Sequence, residues 1–123
     1  MEKTILIVDD SAMIRRIVSQ ILQEYGHRTV VAENGQKGYE QAVTLQPDLI
    51  IMDIEMPVMG GIAATERLKA DTRTARIPVI FFTSLGGEED IQQARNAGGA
   101  GFLNKPICKE ELGKAVSDLV GGP

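Results

Sequence analysis

Short apolar, β-rich runs recur along this chain, and each ends where polarity changes abruptly. Thr4-Ile5-Leu6-Ile7-Val8 stops at Asp9-Asp10, Leu49-Ile50-Ile51-Met52 stops at Asp53, and Val79-Ile80-Phe81-Phe82 stops at Thr83-Ser84. Gly101-Phe102-Leu103 is followed by Lys105-Pro106. The third of the expected strands, Leu49 to Met52, is apolar on both faces, as a central parallel strand covered by helices on both sides must be. Strands of this kind alternating with helical periods point to an α/β fold with a parallel sheet. In such an open sheet the carboxyl ends of the strands share one edge, and that edge binds ligands. Three carboxylates, a hydroxyl and an ammonium would then face a single crevice.

The intervening segments carry the helical signal. Ile14, Ile17, Val18, Ile21, Leu22 and Tyr25 recur at core spacing, with Asp10 or Ser11 as the cap and Gly26 as the stop. Residues Arg28 to Ala32 read as a second strand. Asn34-Gly35 opens a helix to about Leu45, with Tyr39, Ala42 and Val43 inward, and Pro47 breaks it. Gly60-Gly61 leads into a helix ending near Ala70. Glu88-Glu89-Asp90 opens another, its acids suited to the positive end of the helix dipole. Gly98, Gly99 and Gly101 make a turn into the short fifth strand. Leu112, Ala115, Val116, Leu119 and Val120 mark the core side of the last helix. Five βα units with right-handed crossovers make a doubly wound sheet between two helical layers. We expect one domain over residues 1–120, with 121–123 as a tail or linker stub.

Composition narrows the function. At 123 residues the chain can bury about two-thirds of its unfolded surface, enough for one core. A net charge of −4 argues against broad affinity for nucleic acids or anionic membranes. Cys108 is the only cysteine, so no internal disulfide can form, and a reducing compartment fits. No apolar run approaches the roughly 20 residues of a membrane helix. These features together suggest a cytoplasmic protein without direct nucleic-acid or membrane contact.

The polar residues suggest their own chemistry. Mg²⁺ prefers hard oxygen ligands, commonly one or two carboxylates completed by waters and phosphate oxygens. Asp10 and Asp53 are natural direct ligands, with Asp9 acting through water or from behind. Carboxylates also form aspartyl-phosphate intermediates, which makes Asp53 a candidate nucleophile. Phosphoryl transfer requires alignment and charge neutralisation, which Lys105 and the Thr83 hydroxyl would supply. Taken singly, each residue has a plainer reading as a helix cap, a turn residue, a strand end or a solvated lysine. Four such residues converging at strand ends is a different matter.

Asp9-Asp10, Asp53 in the stretch Asp53-Ile54-Glu55-Met56-Pro57-Val58-Met59-Gly60-Gly61, Thr83-Ser84 and Lys105-Pro106 resemble the motifs of response-regulator receiver domains, and the resemblance runs over essentially the whole chain. It implies a flavodoxin-like fold with strand order 2-1-3-4-5. It also implies a phospho-accepting module of a two-component phosphorelay, which takes a phosphoryl group onto Asp53 from a histidine kinase or a histidine phosphotransfer protein. Such a domain catalyses only its own phosphorylation and dephosphorylation. The metal would be Mg²⁺, with Mn²⁺ as a substitute, held by Asp9, Asp10, Asp53 and the backbone carbonyl of Glu55. A cis peptide at Lys105-Pro106 is implied. So is a switch in which Thr83 moves inward and Phe102 follows, altering the surface of the fourth helix, fifth strand and fifth helix. The downstream target stays open, and a phosphorylation-dependent dimer is a further expectation. Gly60 stands where many relatives carry an acid and should loosen its loop. Ser84 stands for a common alanine, and Phe102 for a frequent tyrosine.

Three other readings fit parts of the pattern. An aspartyl phosphatase with Glu55 as its second acid would turn over an external ester. A flavin protein of similar topology would be yellow. A degenerate receiver would serve only as a scaffold. His27, at a turn entering a strand, reads as a surface residue, Cys108 as a loop or helix-start residue, and Met56 as packing.

Overall fold

A computed structural model describes residues 2–121; Gly122 and Pro123, in the expected tail, lie outside the described residues. The order is β1 (Thr4–Val8), α1 (Ala12–Glu24), β2 (Arg28–Ala32), α2 (Gly35–Leu45), β3 (Leu49–Met52), α3 (Gly61–Ala70), β4 (Val79–Thr83), α4 (Glu88–Asn96), β5 (Gly101–Asn104) and α5 (Lys109–Val120). The strands form one parallel sheet in the order β2-β1-β3-β4-β5. Residues Val8 and Met52 are register partners at the ends of β1 and β3, and Thr83 and Asn104 at the ends of β4 and β5. The polar residues that follow therefore emerge along one edge.

The two-residue period of a strand divides its side chains between two faces. One core collects Leu6, Val8, Ile50, Met52, Val79 and Phe81 against Ala42 of α2, Ala64 and Leu68 of α3, and Ala94 of α4. The other collects Ile5, Ile7, Leu49, Ile51, Ile80 and Phe82 against Val18, Ile21 and Leu22 of α1, and Leu112 and Val116 of α5. Each fully buried side chain of this size contributes about 2 kcal/mol. This division between two covered faces explains why β1, β3 and β4 are apolar without alternation.

Local signals close the helices. The Ser11 side chain accepts from the Ile14 N–H at 3.2 Å and caps α1; Asn34 accepts from the Lys37 N–H at 2.9 Å and caps α2. Asp90 accepts from the Gly87 N–H at 3.2 Å at the start of α4. Gln46 takes a left-handed conformation after α2, and Pro47 prevents its continuation. Gly121 caps α5.

Three expectations are corrected. Ile17 and Leu119 sit at core spacing but are exposed, because each lies at the margin of its helix's apolar stripe. His27 is 3% exposed rather than a surface residue. Its N–H donates to the Leu22 carbonyl at 3.0 Å, which folds the turn after α1 back onto the last turn of that helix. Neither ring nitrogen has a hydrogen-bond partner among the described residues.

Burial lowers the His27 pKa from its usual 6.5. Below pH 6.5 the unfolded chain then takes up a proton that the folded chain refuses, so stability falls until the folded-state pKa is reached. Urea titrations between pH 7.5 and 5 should show this loss, at most about 1.4 kcal/mol per pH unit from this one group. The loss should be smaller in His27→Leu. Identical pH slopes in both proteins would show that His27 titrates normally.

Candidate functional site

The edge formed by the strand ends brings the polar residues together. Asp9 follows β1; its N–H donates to the Ala32 carbonyl at 3.1 Å and its Oδ1 accepts from the Ser11 N–H at 2.9 Å. Asp53 follows β3, with its N–H on the Val8 carbonyl at 3.0 Å and its Oδ1 accepting from the Ile54 N–H at 2.8 Å. Asp9 and Asp53 are buried, and Asp10 is exposed beside them. Carboxylate oxygens of all three lie within 4.8 Å of one another.

Lys105 enters from the far side of the sheet. Its Nζ lies 2.9 Å from Asp9 Oδ2, 3.4 Å from Asp53 Oδ2 and 5.7 Å from the centre of the Phe82 ring. The Lys105–Pro106 peptide bond is cis. Thr83 is fully buried at the end of β4, and its hydroxyl oxygen accepts from the Leu85 N–H at 3.3 Å.

Electrostatics follow from the burial. Desolvation, then the charge of Asp9, raise the Asp53 pKa; Lys105, the Thr83 side chain and the Ile54 N–H oppose them. For Lys105, burial alone would lower the pKa, but the hydrogen bond to Asp9 and the charges of Asp9 and Asp53 outweigh it and hold the ammonium above its ordinary value. A crowded acid cluster with the half-buried Lys105 ammonium against two of its three carboxylates is a site prepared for further positive charge. Hard oxygens in this number match a Mg²⁺-sized dication.

The loop after Asp53 is held tightly. Met59 donates to the Pro57 carbonyl at 2.7 Å around Val58, whose φ is 69°. A left-handed β-branched residue costs on the order of 1–2 kcal/mol. Two hydrogen bonds fix the loop despite that cost: Gly35 N–H to the Met59 carbonyl at 2.9 Å, and Gly61 N–H to the Ile54 carbonyl at 2.8 Å. The Gly60-Gly61 pair therefore does not loosen the loop as expected. A Cβ on Gly61 would fall 1.9 Å from the Asp53 carbonyl oxygen, so glycine here permits a close approach.

Residues 5–117 match the response regulator receiver domain family. The chain is a receiver domain. It is 39% identical to the chemotaxis protein CheY of Halobacterium salinarum over 98% of both chains, and 37% identical to the protein PilH of Pseudomonas aeruginosa over 96% of this chain and 98% of that one. Among solved structures it is similar to the receiver domain of a sensor histidine kinase from Pseudomonas aeruginosa, with magnesium coordinated in the active-site cleft. The TM-score there is 0.91 and the identity 26%, with 99% of this chain and 100% of that one covered. The receiver domain is thus a phospho-accepting signalling module of two-component systems, on the flavodoxin-like fold its strand order displays.

Two side chains of the receiver domain's site escaped the sequence reading. Arg15 donates from NH1 to the Asp9 carbonyl at 2.7 Å and braces the acidic turn from α1. Asn104, beside Lys105, reaches into the β4–α4 loop. Neither carries a signal in sequence: one is an arginine on a helix, the other a strand-end amide. Phe102 is half-buried and borders a cavity of about 110 Å³ shared with Ile91, Ala94 and Arg95. Cys108 is exposed at the N-cap of α5, and Met56 packs on the core.

Proposed function

We propose that Asp53 accepts a phosphoryl group from a phosphorylated histidine on a kinase or phosphotransfer protein. The observation that carries this reading is the Lys105 ammonium held between Asp9 and Asp53 with the exposed Asp10 alongside. In the transfer an Asp53 carboxylate oxygen forms the new P–O bond while the P–N bond to the donor breaks, and the imidazole nitrogen keeps the bonding electron pair. Lys105 faces the oxygens on which charge accumulates, and the Thr83 hydroxyl donates to the transferred group. Hydrolysis would return the Asp53 carboxylate, so the module turns over only its own phosphoryl group.

Asp10 and Asp53 would hold Mg²⁺, or Mn²⁺ in its place, with the Glu55 carbonyl completing the protein ligands and Asp9 supporting them. Bound there, the dication would neutralise charge on the phosphoryl oxygens. The domain spans residues 1–120. No helix among the described residues is long and apolar enough to cross a membrane, which accords with a cytoplasmic setting. Met13, 65% exposed in the first turn of α1 and three residues after Asp10, would offer the donor an apolar contact. The α4–β5–α5 face would carry the output to a target or to a second phosphorylated copy, through inward movement of Thr83 and rotation of Phe102.

Asp10→Ala should weaken Mg²⁺ binding at least tenfold, about 1.4 kcal/mol for one lost charged ligand, while the metal-free fold stays as stable or gains slightly from reduced repulsion. Isothermal titration and thermal melts measure both. Unchanged Mg²⁺ affinity would mean that the ligands lie elsewhere.

A further inference from the structure

The sheet ends where the β4–α4 loop begins, yet a side chain continues the connection. Thr83 and Asn104 are register partners, and the Lys105 N–H donates to the Thr83 carbonyl at 2.9 Å. Beyond this last backbone bond, Asn104 Nδ2 donates to the Leu85 carbonyl at 2.8 Å and to the Thr83 carbonyl at 3.3 Å. Both partners are carbonyl oxygens, so the amide nitrogen has to face them. Leu85 is thereby gripped at both ends. Its carbonyl is held by Asn104, and its N–H donates to the Thr83 hydroxyl oxygen at 3.3 Å. A Cβ on Gly86 would lie 3.0 Å from Asn104 Nδ2, so the glycine leaves the space that the carboxamide fills.

We propose that Asn104 is a positioning residue that holds the unphosphorylated arrangement of the Thr83–Leu85 loop and so sets how readily the site takes a phosphoryl group. The inference rests on the reading of Asp53 as the acceptor. In the arrangement observed, the Thr83 hydroxyl oxygen is occupied as an acceptor from Leu85. A phosphoryl group on Asp53 would recruit that hydroxyl as a donor by a charge-assisted bond. A hydroxyl can donate while it accepts, so it is the inward movement of Thr83 that would pull on Leu85, and the Asn104 amide resists that movement. Removing the amide removes a contact made only in the resting state, which shifts the population towards the phosphoryl-binding state. One ordinary neutral hydrogen bond corresponds to about a fivefold change in that equilibrium.

The test uses the full chain with Mg²⁺ and beryllofluoride as the phosphoryl mimic, followed by two-dimensional amide NMR. Asn104→Leu keeps the approximate shape without a donor, and Asn104→Asp keeps it with acceptors only. Both should bind beryllofluoride about fivefold more tightly than the wild-type chain, the effect of one lost resting-state bond. In the absence of beryllofluoride, their Leu85 and Gly86 amides should already be displaced towards the wild-type bound positions. A purely structural role would weaken binding instead, so unchanged or weaker binding in both variants overturns the proposal. Tighter binding in the aspartate variant alone would be an effect of its charge and would equally overturn it. If the wild-type chain failed to bind beryllofluoride, the reading of Asp53 would fall. The free-state Leu85 and Gly86 shifts would still decide whether Asn104 holds the loop, and unmoved amides there would overturn the hold.

Discussion

Asp53→Asn is expected to abolish phosphoryl incorporation from phosphoramidate with Mg²⁺, where the wild-type chain gains one phosphoryl group by intact mass. The substitution replaces the nucleophilic oxygen with an amide and removes the charge that a dication would need. It should do so without harm to the fold. The Asn side-chain oxygen can still accept from the Ile54 N–H, and Lys105 retains its 2.9 Å contact with Asp9. Asp53 in the wild-type chain is desolvated and lies beside Asp9, and both raise its pKa. The Asn variant loses that repulsion, so its thermal midpoint should match or exceed the wild-type value. Full labelling of the variant would place the acceptor at another residue.

Gly61→Ala should be the most damaging single-methyl change near the site. The added carbon would lie 1.9 Å from the Asp53 carbonyl oxygen and 2.9 Å from Met52 Cγ. The first of these is backbone between a central strand and a loop tied at both ends, so it cannot rotate away. Overpacking of this kind costs about 3 kcal/mol. Relief requires moving Asp53 or the start of α3, so phosphoramidate labelling should slow together with the loss of stability. Gly60→Ala is the internal comparison. Its Cβ would meet only the Ile54 carbonyl, at 2.9 Å, and its φ of −75° suits any residue, so its cost should be smaller. Urea denaturation of both variants checks the ranking, and equal stabilities would show that the loop gives way easily.

The fold was legible because its signals are repeated. Each central strand is apolar throughout, Asn34 and Gly26 stand where a helix begins or ends, and Pro47 and Pro78 bound strands. The convergence of Asp9, Asp10, Asp53 and Lys105 was legible for the same reason, since strand direction alone assigns all of them to one edge. Properties set by three-dimensional packing were not. His27 follows a glycine turn in a polar stretch, and nothing local reports that its ring is buried. Ile17 and Leu119 satisfy helical spacing, yet the spacing does not say how wide a stripe the sheet covers. The Gly60-Gly61 pair reads as slack in sequence, whereas its function is to admit a backbone contact. Arg15 and Asn104 act through side-chain bonds to main-chain carbonyls, which leave no residue pattern to find.

A phosphoryl group in the Asp53 crevice should be felt at the α4–β5–α5 face. Two-dimensional NMR of the wild-type chain with Mg²⁺, before and after beryllofluoride, tests it most directly. Amides beside Asp53 should move together with those of residues 84–91 and 101–108, as Thr83 turns inward and Phe102 follows. Shifts confined to the loops around Asp9, Asp10 and Asp53 would contradict it, leaving a module that passes phosphate along without changing shape.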